Sequence, residues 1–368
     1  MRLEADSHRQ EESSSQKAAT STPAARLAVL THSHPVLSKV FRWCSIFLLA
    51  IVLFLASVWA VLALYFDGSI PIPKLVLPCL YLTTILAIWT SFRRRRLIAS
   101  GLTLGCFAIV CAWWLLIPPS NARDWQSDVG VTPFAEIHGS QVKLHNIRSC
   151  KYRTETDFDV DYYDKTFDLD AIRTVDLYVV YWGSPLIAHT MASFGIGGND
   201  YICISIETRK EKGESYSALR GFFRQYELFY VIADERDLVR LRTNFRNEQV
   251  YLYRTRTSPQ AARALFLDYV QTATDLCQKP KWYNALTDNC TTNIRVHSQR
   301  ARGRRTPLDW RVIVNGYADE MLYERGRIDT SLTFAELKRR SLINARAREA
   351  SEANFSQAIR RDLPGIHE

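Results

Sequence analysis

The residue in this chain best set for covalent chemistry is a cysteine, Cys290, in the stretch YNALTDNCTTNI at 283–294. Thr287, Asp288 and Asn289 are turn and N-cap types, and TTNIRVHSQRA after them can run as a helix. Cys290 is therefore expected at or near a helix N-terminus, where unpaired N–H groups and the positive dipole end favour a thiolate. A buried helical Cys is more often a small hydrophobe, so the stretch needs a partner elsewhere. Thiol chemistry requires a base to take or hold the proton and a third group to orient that base. His189 lies in a β-rich run, and a strand histidine facing a cysteine at a helix start meets the requirement without being near it in sequence. The alternative is a hydrogen-bonded structural histidine. Beyond residue 118, His138 and His145 fall in an earlier strand pair, His297 lies two helical turns after Cys290 and should point away along the axis, and His367 is in the tail.

For the orienting group, Ser205 and Glu207 share one face of the next strand, because strand side chains repeat every two residues. Glu207 would either hold the imidazole or pair with Arg209 or Arg224. Asn289 would either help bind an oxyanion, together with the backbone N–H of Cys290, or serve only as N-cap. The triplet Asn289-Cys290-Thr291 also fits a glycosylation acceptor, a pattern common by chance. Asp234, Glu235, Arg236 and Asp237 read as a capped turn with internal ion pairs. GIGG at 195–198 is too short for a nucleotide loop and reads as a hairpin turn. With no CxxC pair and no metal-ligand spacing, neither a metal nor another cofactor is expected.

The elements that must position these groups begin with a membrane part. Residues 1–42 read as a polar cytoplasmic tail. The run from Trp43 to Phe66 carries no charge and is long enough for ~30 Å of hydrocarbon. Segments 75–92 and 97–117 are two further candidate spans, which gives a membrane domain over 43–117. Arg93 to Arg96 follow the second span, whereas the first linker, DGSIPIPK, holds one Lys. The positive-inside rule then puts tail and arginine run in the cytoplasm and sends residues 118–368 across the membrane. Part of the net charge of +9 is that topology signal, and a nucleic-acid partner is not expected. Arginines between 295 and 311 and basic residues between 338 and 348 would present either a solvated helix face or a surface for anionic lipid head groups or wall polymers. Four of the eight cysteines lie in the apolar spans, and Cys150, Cys203 and Cys277 leave room for one disulfide whose pairing the sequence does not choose.

Residues 118–368 read as α+β. A strand pair over 136–154 turns at Gly139 and Ser140, and β-rich runs follow at 177–196, 201–210, 227–234 and 250–256. Gly197 to Asp200 form a hairpin signal. SPQAARALFLDYVQTATDLCQ carries a cap, Pro at N1 and the spacing of an amphipathic helix. The Cys290 helix comes next, and 334–363 reads as a charged helix or two.

Several blocks resemble one family. NIRSCKYRTETDFD, VDLYVVYW, AHTMASFGI, YICISIETRKEKGESYSALRGFFRQYELFYVIADERDLVRLRT, WYNALTDNCTTNI and NFSQAIRRDLP look like the Lnb N-terminal periplasmic domain family, over roughly residues 120–363. The resemblance implies a bacterial inner-membrane protein, multi-pass, with a periplasmic domain of permuted papain-like (NlpC-like) thiol fold, antiparallel sheet and helices, in which His precedes Cys. It implies a lipid or lipoprotein substrate and acyl transfer through a thioester, with Cys290 and His189 as the reacting pair. The name-giving relative carries its membrane helices after the domain, whereas here the spans precede it, which leaves acyl donor and acceptor open. A cysteine amidase or peptidase of the cell wall using the same pair is the alternative enzyme, and a membrane-tethered binding module without activity is the other. Oligomeric state is not readable.

Overall fold

The computed structural model describes residues 35–66, 72–307 and 309–366. The expected tail up to residue 34 and His367 lie outside the described residues. The chain separates into two compact units, Met1–Ile117 and Pro118–Glu368.

The first unit contains α1 (Pro35–Phe66), α2 (Val76–Ser91) and α3 (Arg96–Leu116). Helix α1 starts earlier than the uncharged run that suggested it, because Ser38 to Arg42 continue the helix without a breaker. Two helices, α1 from Ser38 and α3, are long and apolar enough to cross a membrane. Helix α2 has 16 residues, which is about 24 Å of rise and short of a full hydrocarbon thickness. Trp59 of α1 meets Phe107 and Trp114 of α3 edge-on, and Trp89 of α2 donates to Thr103 of α3.

The second unit is α+β, built on an eight-stranded sheet. Its strands are β1 (Phe134–His138), β2 (Gln141–Arg148), β5 (Tyr162–Asp168), β6 (Thr174–Tyr181), β7 (Ala188–Gly195), β8 (Tyr201–Arg209), β9 (Glu227–Ala233) and β10 (Gln249–Arg254), while β3 (Lys151–Tyr152) and β4 (Phe158–Asp159) pair separately. The order is β1-β2-β9-β8-β7-β6-β10, with β5 also on β2. All ladders are antiparallel except the short parallel contact of β2 with β9. Within 177–196, DLYVVYW and the run carrying His189 form separate strands, β6 and β7, with a turn at 182–187 between them. Strand β5 went unpredicted because Asp and Lys interrupt its alternation.

Both faces of the central strands are buried, so β7 and β9 have no exposed residue and read as continuous rather than alternating runs. On one face Ala192, Phe194, Ile204 and Tyr230 pack under α5 (Pro259–Gln278), whose Ala262, Phe266, Tyr269, Val270 and Ala273 recur at helical spacing. The helix carrying the thiol, α6 (Cys290–Arg302), lies on the same face. The opposite face holds Met191, Cys203 and Val231 beneath α4 (Glu235–Arg240), α9 (Asn344–Glu349) and α10 (Phe355–Ala358). Helices α7 (Ala318–Glu324) and α8 (Phe334–Ser341) precede these last two.

The expected charged helix over 334–363 is thus three short ones. It breaks after Ser341 because Leu342 turns extended and bridges Tyr251 of β10, and Ile343 N–H donates to Val250 O. The chain uses those groups to cover part of an edge strand.

All eight cysteines are free thiols. Cys203 packs on one face of the sheet and Cys277 sits on the helix covering the other, so the sheet separates them. The strip 234–237 also departs from expectation. Asp234 and Arg236 pair locally at 3.0 Å, but Glu235 binds Arg360 at 2.6 Å and Asp237 binds Arg148 at 2.7 Å. These are long-range buried pairs that tie β2 and the C-terminal helices to the sheet.

Candidate functional site

Strands β7 and β8 run antiparallel with Met191 opposite Ser205. Two residues along each strand, His189 and Glu207 come onto the same face as Ser205. Nε2 of His189 lies 2.7 Å from Ser205 Oγ and 3.1 Å from Glu207 Oε1. Ser205 also donates to that carboxylate oxygen at 2.6 Å.

The cation on Glu207 is Arg242, which donates from Nη2 to Oε1 at 3.0 Å and from Nη1 to Glu248 at 2.9 Å. Arg209, an expected partner of Glu207, is engaged elsewhere: it donates to the carbonyls of Val129 and Gly130 and stacks on Trp125 and Phe229. Glu207 therefore touches the imidazole and pairs an arginine at once. Burial would raise its pKa, but His189, Arg242 and the Ser205 hydrogen bond hold the carboxyl well below the usual range.

Cys290 is the first residue of α6, as its setting predicted. Asn289 is the N-cap: its side-chain oxygen accepts from Thr292 N–H at 2.9 Å, and its amide nitrogen donates to Ala285 O at 3.1 Å. Asn289 is buried, holds the helix start through its oxygen and the preceding loop through its nitrogen, and also lines the cleft over the thiol. Gly303 ends the helix with a left-handed φ of 61°.

Cys290 is 7% exposed and lies beside His189 in the lining of one cleft. Burial pushes its pKa up, but the charge and hydrogen bond of His189, with hydrogen bonds from Thr190, outweigh that and bring it down to about 6. Burial pushes His189 down, yet Glu207 and the Cys290 thiolate lift it to about 9, against some opposition from Arg242. The pair thus favours thiolate and imidazolium together.

Asn315, unremarked in the sequence, completes the surroundings. Its amide nitrogen sits 3.8 Å from Cys290 Sγ and donates to Thr291 Oγ1 at 3.1 Å, while its oxygen accepts from Ala188 N–H at 2.9 Å. It lies in a turn about 25 residues past the thiol with no motif of its own, so no sequence signal marked it or Arg242.

The other histidines are placed apart. His297 is buried between Tyr230 and Asp268, each at 2.6 Å, and stacks on Tyr269. His145 bonds Asp164 on β5. Among the described residues no cluster has the composition of a metal site.

A cleft of about 400 Å³ opens over the thiol, with His189, Glu207, Cys290 and Asn315 in its lining. Trp182, Ile187, Tyr216, Phe222, Leu286 and Ile313 also line it and are exposed. So many large apolar side chains around one opening exceed the scattered exposure normal for a soluble surface.

No curated protein and no solved structure matches the chain. Residues 159–316 match the sequence model of one family, and that stretch contains His189, Ser205, Glu207, Arg242, Cys290 and Asn315. The family whose model this segment matches is the Lnb N-terminal periplasmic domain.

Proposed function

We propose that the chain is a membrane-anchored periplasmic thiol acyltransferase acting on lipid or lipoprotein acyl esters. The observation that carries the reading is the buried Cys290–His189 pair, poised as thiolate and imidazolium, at the floor of a cleft rimmed by exposed apolar side chains. A strand histidine that precedes a cysteine at a helix N-terminus also suits a permuted papain-like (NlpC-like) fold. Anchoring through α1 and α3, with α2 as a shorter third span, suits a multi-pass protein of a bacterial inner membrane.

In this mechanism Cys290 Sγ attacks the ester carbonyl of an acyl chain. Charge develops on the carbonyl oxygen, where the backbone N–H of Cys290, in the open first turn of α6, and the Asn315 amide supply donors. Nε2 of His189 donates toward Ser205 and Glu207, which leaves Nδ1 as the nitrogen that gives and takes the reacting proton. The C–O bond breaks, the leaving alkoxide takes that proton, and the acyl chain remains as a thioester. An amine then attacks, His189 takes its proton, the C–S bond breaks, and an amide and free thiolate result. Glu207 holds the ring and stabilises its positive form, with Ser205 bridging the two.

Intact-mass analysis of lipoprotein N-termini from cells carrying the wild type or Cys290→Ala tests the reading. An acylation pattern that shifts only with Cys290 present supports it. Unchanged lipoprotein masses together with Cys290-dependent release of wall peptides would replace it with a cell-wall amidase. Full cellular activity of Cys290→Ala would leave a binding module.

A further inference from the structure

A second cavity, of about 470 Å³, lies in the same domain beside the cleft. The two adjoin through sequence neighbours: His189 and Cys290 line the cleft, Thr190 and Thr291 line the cavity. Thr190 Oγ1 and Thr291 Oγ1 are 3.2 Å apart, and Asn315 donates to Thr291, so a hydrogen-bonded group stands at this junction. Beyond it the wall is apolar, formed by Leu177, Ile294, Val312, Met321 and Leu322 among others.

Four arginines line the same cavity. Arg325 is neutralised by Asp309 at 2.8 Å, and Arg295 donates to Thr306 O. Arg302 and Arg327 have no carboxylate partner among the described residues. Arg302 is half-buried, and its pKa is lowered by burial and by the charge of Arg327 beside it. Arg327 is exposed at the side of the half-buried Arg302, so an anion reaching both would offset their mutual repulsion, and a guanidinium fork suits phosphate or carboxylate. The volume lies in the range of small-ligand sites.

We propose that this cavity binds a single-chain anionic amphiphile, the chain against Ile294, Met321 and Leu322 and the anionic head on Arg302 and Arg327. The occupant combines both features, because neither the apolar wall nor the arginine pair is matched by the other's ligand. The site is separate from the thioester chemistry, since Cys290 contributes nothing to its lining.

The test uses the full chain in phosphatidylcholine nanodiscs and a dodecyl phosphate carrying a diazirine on its chain, with adducts mapped by peptide mass spectrometry. Adducts are expected on peptides containing Ile294, Met321 or Leu322, and Cys290→Ala should leave them unchanged. Arg302→Gln/Arg327→Gln should lower labelling by about tenfold or more, the scale of losing charge-assisted hydrogen bonds. Met321→Trp, which fills the chain site and keeps both arginines, should lower it as well. The same chain with a trimethylammonium head should not label these peptides. Equal labelling by both heads, persistence in either variant, or complete displacement by inorganic phosphate alone would overturn the proposal, the last by reducing the site to a free-anion site. An unchanged rate of Cys290 alkylation in the arginine variant shows that its fold is intact, so a loss of labelling is read as loss of the site.

Discussion

Glu207 and His189 meet across neighbouring strands, Oε1 to Nε2 at 3.1 Å, and the same carboxylate oxygen also receives Ser205 and Arg242. One oxygen thus joins the imidazole to a buried guanidinium. The arrangement fixes the ring and lets its charge be shared, while Arg242 keeps the carboxylate ionised.

The first consequence is a pH window for the thiol. As pH rises through about 6 Cys290 loses its proton, and until about 9 His189 keeps its own, so the ion pair is populated between those values. Because the two groups interact, the inflections belong to the pair rather than to either residue. Alkylation of Cys290 by iodoacetamide should therefore rise through about pH 6, well below the ~8.5 of a free thiol. His189→Gln should move the inflection to or above that ordinary value. The same inflection in both proteins would show that the imidazole does not activate the thiol.

Glu207→Gln removes the main charge that raises His189. An opposite charge at this range is worth ~1–3 pKa units. The upper edge of the window should fall by about that much, and acyl transfer should drop by ~10²-fold, at the low end for general acid–base groups. The pH profile separates this from a structural defect: a rate loss with both inflections unmoved would assign Glu207 to packing alone.

Much of the site could be read from residue types. A turn and cap sequence before Cys290 placed it at the start of a helix, and the two-residue strand period put Ser205 and Glu207 on one face of their strand, which the register of β7 with β8 brings beside His189. What escaped depends on distance in the chain. Arg242 reaches Glu207 from a π-helical turn at Leu241–Phe245, and Asn315 reaches the thiol from a short 3₁₀ turn, and neither position carries a pattern. Strand β5 escaped because charged residues hide its period, and the break of 334–363 into three helices follows from pairing with β10, a tertiary contact that outweighs helix propensity.

Gly316 fixes one wall of the cleft. Its N–H donates to Leu186 O, its carbonyl accepts from Tyr181 OH, and a Cβ there would meet Pro185 O at 2.1 Å and Leu186 C at 2.6 Å. Those are backbone atoms of the turn between β6 and β7, so they cannot rotate aside. Gly316→Ala should displace that turn with Ile187 and Ala188, and lower stability by about 1–3 kcal/mol, as overpacking does. Thermal unfolding with Cys290 alkylation measures both effects, and a variant unchanged in each would mean that the turn yields freely.

Arg242 serves two carboxylates, Glu207 and Glu248, with a side chain only 7% exposed. Arg242→Met keeps most of the volume and removes the charge, which leaves both acids facing each other without a cation. Breaking a buried pair from one side costs about 3–5 kcal/mol, because the remaining charge is uncompensated. Taking the low end, since Glu207 is 27% exposed and partly solvated, about 3 kcal/mol should lower the unfolding midpoint of a domain this size by about 6–12 °C. Adding Glu207→Gln to Arg242→Met should restore part of that loss, because one of the stranded charges is gone. A double variant as unstable as the sum of the two single ones would mean that Arg242 contributes through packing of its stem, and that the carboxylate held against His189 does not need it.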